Sequence, residues 1–252
     1  MKVLLENNTA KLSERSVELI VSASRKAPEL CPLLIIREEL RPAHALAMFW
    51  WSAAPERRQI LLRFSAERTL LLDMCADIFR YASTDTDPVV RKALQVIERR
   101  QRNRAALQNS AHESLEAAIT TAAVTKMSAA DSVEISTLAG VKPSTGDRIF
   151  QDPGGEGVAV LCKATGLKRQ FVRELWIALG RDAGEDSAHF RRVSEIYESI
   201  AVAKAQTVLR YWNWSLSSAF SPDQIEETDD ETLEHTLRII DDATRPKAMG
   251  RR

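Results

Sequence analysis

The sequence predicts an all-α protein, an irregular stack of helical hairpins that is either solenoid-like, in the manner of HEAT repeats, or an orthogonal bundle. Three observations carry that expectation. Apolar residues recur at helical spacing in segment after segment, with short breaks at Pro, Gly and Ser-Asp clusters. Gly and Pro number only 9 each in 252 residues, too few for a turn-rich sheet protein. No run of strand-like alternation survives a pass along the chain. With 44% hydrophobic and 28% charged residues the chain can bury a core, and its length suits one large domain or two small ones.

The first region, 1–127, opens with a frayed lead-in over 1–11. A helix from Ser13 to Ala27 follows, with Val17, Ile20, Val21 and Ser24 near one face and Pro28 as its stop. Pro32 to Leu40 is a second short helix. Pro42 opens a third, Ala43 to Trp51. Leu46, Met48, Phe49, Trp50 and Trp51 leave it almost no polar face, so it is expected at the centre of these helices, with at least one of the two Trp buried. Pro55 restarts the chain in a first turn, where its missing N–H costs nothing. In Glu56 to Phe64, Ile60, Leu61 and Phe64 point inward, and Arg57, Arg58 and Arg63 are read as outward. Ala66 to Tyr81 and Pro88 to about Leu107 complete the series, separated by Ser83-Thr84-Asp85-Thr86-Asp87. Ser110 and Glu113 have capping-box spacing, which predicts a fresh helix from Ala111 to about Thr125.

Residues 128–180 read as tandem helical hairpins. Ser128 and Asp131 have capping-box spacing. An apolar run then closes on Ala139-Gly140-Val141, and a new helix starts at Lys142-Pro143. The pattern returns 26 residues on: Gly140 matches Gly166, Ile135 matches Leu161, Val141 matches Leu167, Lys142 matches Lys168 and Ile149 matches Leu175. Asp152-Pro153-Gly154-Gly155-Glu156-Gly157 between the hairpins lacks the Gly-Lys-Ser/Thr ending of a phosphate loop and is read as a helix-to-helix turn. Region 181–220 is expected to be one long helix, from Ala188 to about Ser217, packing on the body through Val193, Ile196, Ile200, Ala203, Thr207, Val208 and Tyr211. Region 221–252, acidic and then basic, is expected to be a mobile charged tail.

Two stretches carry a resemblance. One is Leu40-Arg41-Pro42-Ala43-His44-Ala45-Leu46-Ala47-Met48-Phe49-Trp50-Trp51 with Arg57-Arg58-Gln59-Ile60-Leu61-Leu62-Arg63-Phe64. The other is Arg148-Ile149-Phe150-Gln151-Asp152-Pro153-Gly154-Gly155-Glu156 through Leu167, with Val208-Leu209-Arg210-Tyr211-Trp212-Asn213-Trp214. From about Ser13 to Ser217 the chain resembles the bacterial, mainly alphaproteobacterial, domain-of-unknown-function family 2336. The resemblance implies an all-helical cytoplasmic protein with no assigned enzyme activity, and it transfers no catalytic residue.

Chemistry is sparsely signalled. The net charge is zero, from 35 basic and 35 acidic residues, so nothing overall draws the chain to nucleic acid. Cys31, Cys75 and Cys162 are scattered, with no Cys-x-x-Cys and no His at zinc spacing; they are expected to be buried free thiols. The N-terminal residues have no apolar h-region and no apolar run reaches 18 residues, so neither a signal peptide nor a spanning helix is expected. Arg99-Arg100-Gln101-Arg102-Asn103-Arg104 reads as a solvated face, His44 as a packing residue, and His189 and His235 as solvated.

The expectation is therefore a cytoplasmic, non-enzymatic protein-interaction or regulatory module, without metal or cofactor, that presents helical surfaces to a protein partner. Its setting in bacterial signalling follows by analogy with the family. The first alternative is a helix-turn-helix DNA-binding regulator, with Lys142, Arg148, Lys168, Arg169 and Arg173 as contact residues. Gly146, where such a helix usually carries a packing aliphatic, speaks against it. The second alternative is a histidine phosphotransfer protein with His112, followed by Glu113, as phosphoacceptor.

Overall fold

A computed structural model of the chain describes residues 1–7, 9–65, 102–184 and 186–215. Twelve α-helices occur among them and no strand: α1 Lys2–Glu6, α2 Glu14–Ala23, α3 Cys31–Ile35, α4 Pro42–Met48, α5 Ala54–Arg63, α6 Leu115–Thr125, α7 Ala129–Leu138, α8 Pro143–Gln151, α9 Glu156–Ala164, α10 Arg169–Ala178, α11 Ala188–Ser199 and α12 Val202–Ser215. The all-α expectation holds. The expected helix over 66–81, most of the one from Pro88, and the tail 221–252 lie outside the described residues.

The stack is organised round α9. Its residues Val158 to Cys162 are all buried, because α10, α11 and α12 pack against it on different sides. A helix covered all round needs an apolar surface all round, and Gly-Val-Ala-Val-Leu-Cys supplies one. Helix α6 lies along α10, and α7 lies along α8. Helix α4 fills the same role in the N-terminal half, with His44 to Met48 all buried. Helix α12 returns to it: the Tyr211 hydroxyl donates to Ala43 O at 2.9 Å, and Trp212 Nε1 to Leu46 O at 3.4 Å.

The two hairpins repeat as their spacing predicts. Ser128 and Asp131 form a full capping box at the start of α7. At the end of α7, Gly140 takes φ 75°, its N–H bonds Thr137 O, and the Val141 N–H bonds Ser136 O. At the end of α9, Gly166 takes φ 70°, its N–H bonds Lys163 O, and the Leu167 N–H bonds Cys162 O. This is the same Schellman closure twice, with the left-handed residue that glycine accommodates. The matched apolar pairs, from Ile135 and Leu161 to Ile149 and Leu175, are buried, and Lys142 and Lys168 are both N-caps. Gly146 has a packing explanation: a Cβ there would lie 1.7 Å from Ser136 Oγ and 2.7 Å from Ser136 Cβ. It is the small residue that lets α7 and α8 approach.

Several expectations are corrected. The lead-in is not frayed: α1 buries Leu5 completely, and Arg37 reaches over to bond Asn7 O and Ala10 O. The short helix expected over 32–40 begins earlier, as a 3-10 turn at Pro28–Leu30 running into α3, and ends at Ile35. Helix α4 stops at Met48, and Phe49 is its fully buried aromatic, whereas Trp50 and Trp51 are half-buried against the core. The capping box at Ser110 does not form. Ser110 Oγ donates to Glu134 instead, and α6 starts at Leu115, capped by the Ser114 side chain accepting the Ala117 N–H at 3.1 Å. The single long helix from Ala188 is two helices, broken where Ile200 turns extended (ψ 131°) while staying buried. Helices α11 and α12 both lie on α9, which one straight rod could not do.

Helix propensity alone makes Gly146→Ala stabilising by about 1 kcal/mol. Overpacking against Ser136 reverses the sign. Gly146→Ala is expected to lose about 1–3 kcal/mol in urea unfolding, and Gly146→Ala with Ser136→Gly to be more stable than Gly146→Ala alone.

Candidate functional site

The most concentrated polar chemistry in the described residues lies where α5 meets the turn between α8 and α9. Arg57 is 6% exposed and faces inward. Its Nη1 donates to Asp152 Oδ2 at 2.7 Å and Oδ1 at 2.9 Å, and to Glu156 Oε2 at 3.1 Å. Its Nε donates to Ser52 O at 2.9 Å and Nη2 to Trp50 O at 3.2 Å. The guanidinium also lies over the Phe49 ring, 4.9 Å from its centroid. Burial pulls this guanidinium down, but hydrogen bonding and charge from Asp152, then Glu156, outweigh burial and hold it above its ordinary value.

A second arginine completes the cluster. Arg181 Nη2 donates to Phe150 O at 2.7 Å and Asp152 O at 2.8 Å, and its guanidinium lies 4.7 Å from the Trp176 ring centroid. Burial lowers its pKa, against the opposing pull of Asp152 and Glu156. Two arginines and two carboxylates make the cluster formally neutral, the condition under which buried charge is tolerated. His189 closes one side, with Nε2 2.7 Å from Gly154 O and its ring edge-on to Trp176. It is half-buried, not the solvated residue expected.

The Asp152-Pro153-Gly154-Gly155-Glu156 turn is shaped by this cluster. Asp152 Oδ2 also accepts the Gly155 N–H at 2.9 Å. A Cβ on Gly154 would lie 2.0 Å from Arg57 Nη1, and one on Gly155, which sits at φ 75°, 2.3 Å from Trp176. The glycines therefore make room for an arginine and a tryptophan, and the reading as a helix-to-helix turn holds. Beside it, the rings of Phe49, Trp50 and Trp212 meet at 4.8–5.3 Å, and Arg148 lies 4.9 Å from the Trp50 centroid. The two stretches that carry the family resemblance thus converge on one place.

Charge alone predicts an outward Arg57. Its position says otherwise: 57, 60, 61 and 64 share one helical stripe with Ile60, Leu61 and Phe64. An arginine on an apolar stripe was the available signal.

The five DNA-contact candidates do not share a surface. Arg148 is half-buried on Trp50. Lys142 is exposed at the N-cap of α8, where Asn213 of α12 bonds the helix start: its Oδ1 accepts the Lys142 N–H at 2.6 Å and the Thr145 hydroxyl at 3.2 Å. Lys142 lines a groove with Arg102, Arg104 and Asn213. Lys168, Arg169 and Arg173 are exposed on α10 or at its start, and Arg169 and Arg173 line a different groove, against α11. His112 lies in the loop before α6, its Nε2 3.8 Å from Glu134 Oε2, and not in the first turn of a helix. Arg102, expected on a solvated face, is held by Glu116 through two hydrogen bonds of 2.7 and 2.9 Å, and this pairing lowers the Glu116 pKa.

Cys31 and Cys162 are free and buried; burial raises both thiols, Cys162 to about 12. Cys75 lies outside the described residues. Among the described residues, no group of three or more His, Cys, Asp or Glu is arranged to hold a metal ion, and no helix is long and apolar enough to cross a membrane.

Removing one partner of a buried pair strands the others. Arg57→Met leaves the cluster with a net negative charge and is expected to cost about 3–5 kcal/mol in denaturant unfolding. Arg57→Met with Glu156→Gln restores neutrality and keeps Asp152 opposite Arg181, so part of the loss should return. A double variant no more stable than Arg57→Met would show that packing, not charge balance, governs this junction.

No curated protein and no solved structure matches the chain. A family model does, over residues 1–210: the uncharacterised proteins conserved in bacteria that share domain of unknown function 2336. The match takes in the α5 arginine, the double-glycine turn and most of α12, and the chain belongs to this family.

Proposed function

We propose that the protein is a non-enzymatic helical module that works by presenting helix faces to a protein partner, in bacterial signalling or regulation. The observation that carries this reading is where the cations of the hairpins are. A repressor-type hairpin offers the start of its second helix to the major groove. Here Asn213 of α12 occupies hydrogen-bonding groups at the start of α8, accepting the Lys142 N–H and the Thr145 hydroxyl, and Arg148 is packed on Trp50. The strongest polar cluster is likewise committed inward, with both arginines and both carboxylates bonded to one another or to backbone. What the exterior offers is helix faces, with apolar residues such as Val124 and Ile177 among the charges.

The test is a selection against a random-site duplex pool, followed by a salt titration. A duplex reader shows a steep salt dependence that flattens by about one unit of slope for each phosphate contact removed. The expected result is no enriched motif at physiological salt. A motif that is enriched by the wild-type chain, and lost in a Lys168→Ala, Arg173→Ala variant of unchanged melting, would replace this reading with the DNA-binding one.

A further inference from the structure

Between α10 and α11 runs a groove of about 540 Å³, within the size range of ligand sites. Arg169 and Arg173 of α10 and Arg191, Phe190 and Ser194 of α11 line it. Arg169 and Arg173 are four residues apart and so stand on one face of their helix. Arg191 comes from the facing helix. Arg173 and Arg191 are exposed, and neither guanidinium has an ion pair or hydrogen bond among the described residues. Arg169 has one loose partner, Glu198 at 3.6 Å, with both side chains more than half exposed, a pair that contributes little and exchanges readily. Phe190 is half-buried, and its ring packs 6.0 Å from that of the fully buried Trp176, leaving part of it open to the groove.

We propose that this groove docks an acidic peptide segment of a protein partner, carboxylates on Arg169, Arg173 and Arg191 and one apolar side chain on Phe190. The proposal rests on the protein-interaction reading above and names the partner's chemistry. Guanidinium groups pair with carboxylates through two parallel hydrogen bonds, and three of them on two helices set the spacing a ligand must match. A duplex fits this surface less well. Arg191, Glu195 and Glu198 follow one another at helical spacing on α11, so a body broad enough to span the face meets two carboxylates beside its cations. A single chain lying in the groove meets Glu198 at Arg169, where it displaces a loose pair, while Glu195 stays on Arg58 at 3.2 Å.

The experiment uses the full chain and fluorescence anisotropy. The probe is a fluorescein-labelled peptide of Glu and Asp around a central Leu-Phe pair; its control has Gln and Asn in place of the acids. The wild-type chain is expected to prefer the acidic peptide by roughly tenfold or more, and Arg173→Glu with Arg191→Glu to lose at least that factor. Lys11→Glu with Arg15→Glu, the same charge change on an exposed surface remote in sequence, is expected to lose less than about threefold, with both variants melting like wild type. Equal affinity for the two peptides, equal loss in the two variants, or displacement of the peptide by a random duplex at lower concentration would each overturn the proposal. A partner captured equally by the wild-type and the Arg173→Glu, Arg191→Glu chains would overturn the groove alone and leave the interaction reading standing. An enriched duplex motif would overturn that reading itself.

Discussion

The fold depends on one buried arginine. Arg57 ties α5 to the turn between α8 and α9 through two carboxylates, and to the end of α4 through the carbonyls of Trp50 and Ser52. A buried charge without partners would be prohibitively costly, so the surroundings must supply them all at once. That demand explains an otherwise odd run of residues. Asp152 and Glu156 provide the counter-charge, Gly154 and Gly155 leave the space, and Arg181 with Trp176 closes the far side. Neutrality of the whole set, not the strength of any one pair, is the physical condition that lets it sit inside.

The aromatic cluster beside it does the same joining by shape. Phe49, Trp50 and Trp212 come from two parts of the chain, and Arg57 and Arg148 lie over two of the rings. Cation and ring here use the ring's negative face in a place with little water, where that attraction counts most. Arg148 is thereby drawn against the aromatic cluster and half-buried there.

Much of the fold was legible in the sequence. The capping box at Ser128, the turns at Gly140 and Gly166, and the 26-residue correspondence rest on local chemistry, which the chain carries on its face. What escaped was set by partners distant in sequence. Ser110 has a capping box's spacing, yet Glu134 takes its hydroxyl and Ser114 caps α6 in its place. The stripe around Ile200 looks continuous, yet two helices must lie on α9 and the chain breaks to allow it. The site was the least legible part. Arg57 stands on an apolar stripe, but only the approach of Asp152 and Glu156, 95 and 99 residues on, turns that position into a buried cation.

The return of α12 to α4 has a consequence for how the protein is made. Tyr211 bonds Ala43 O across 168 residues, and Trp212 bonds Leu46 O across 166. On a ribosome adding about 5–20 residues per second, α4 waits roughly ten to thirty seconds for the helix that covers it. Until then Phe49 lacks the Trp212 ring that packs on it. The N-terminal helices are thus a nascent surface before they are a core, and α4 gains this cover only once α12 has left the exit tunnel.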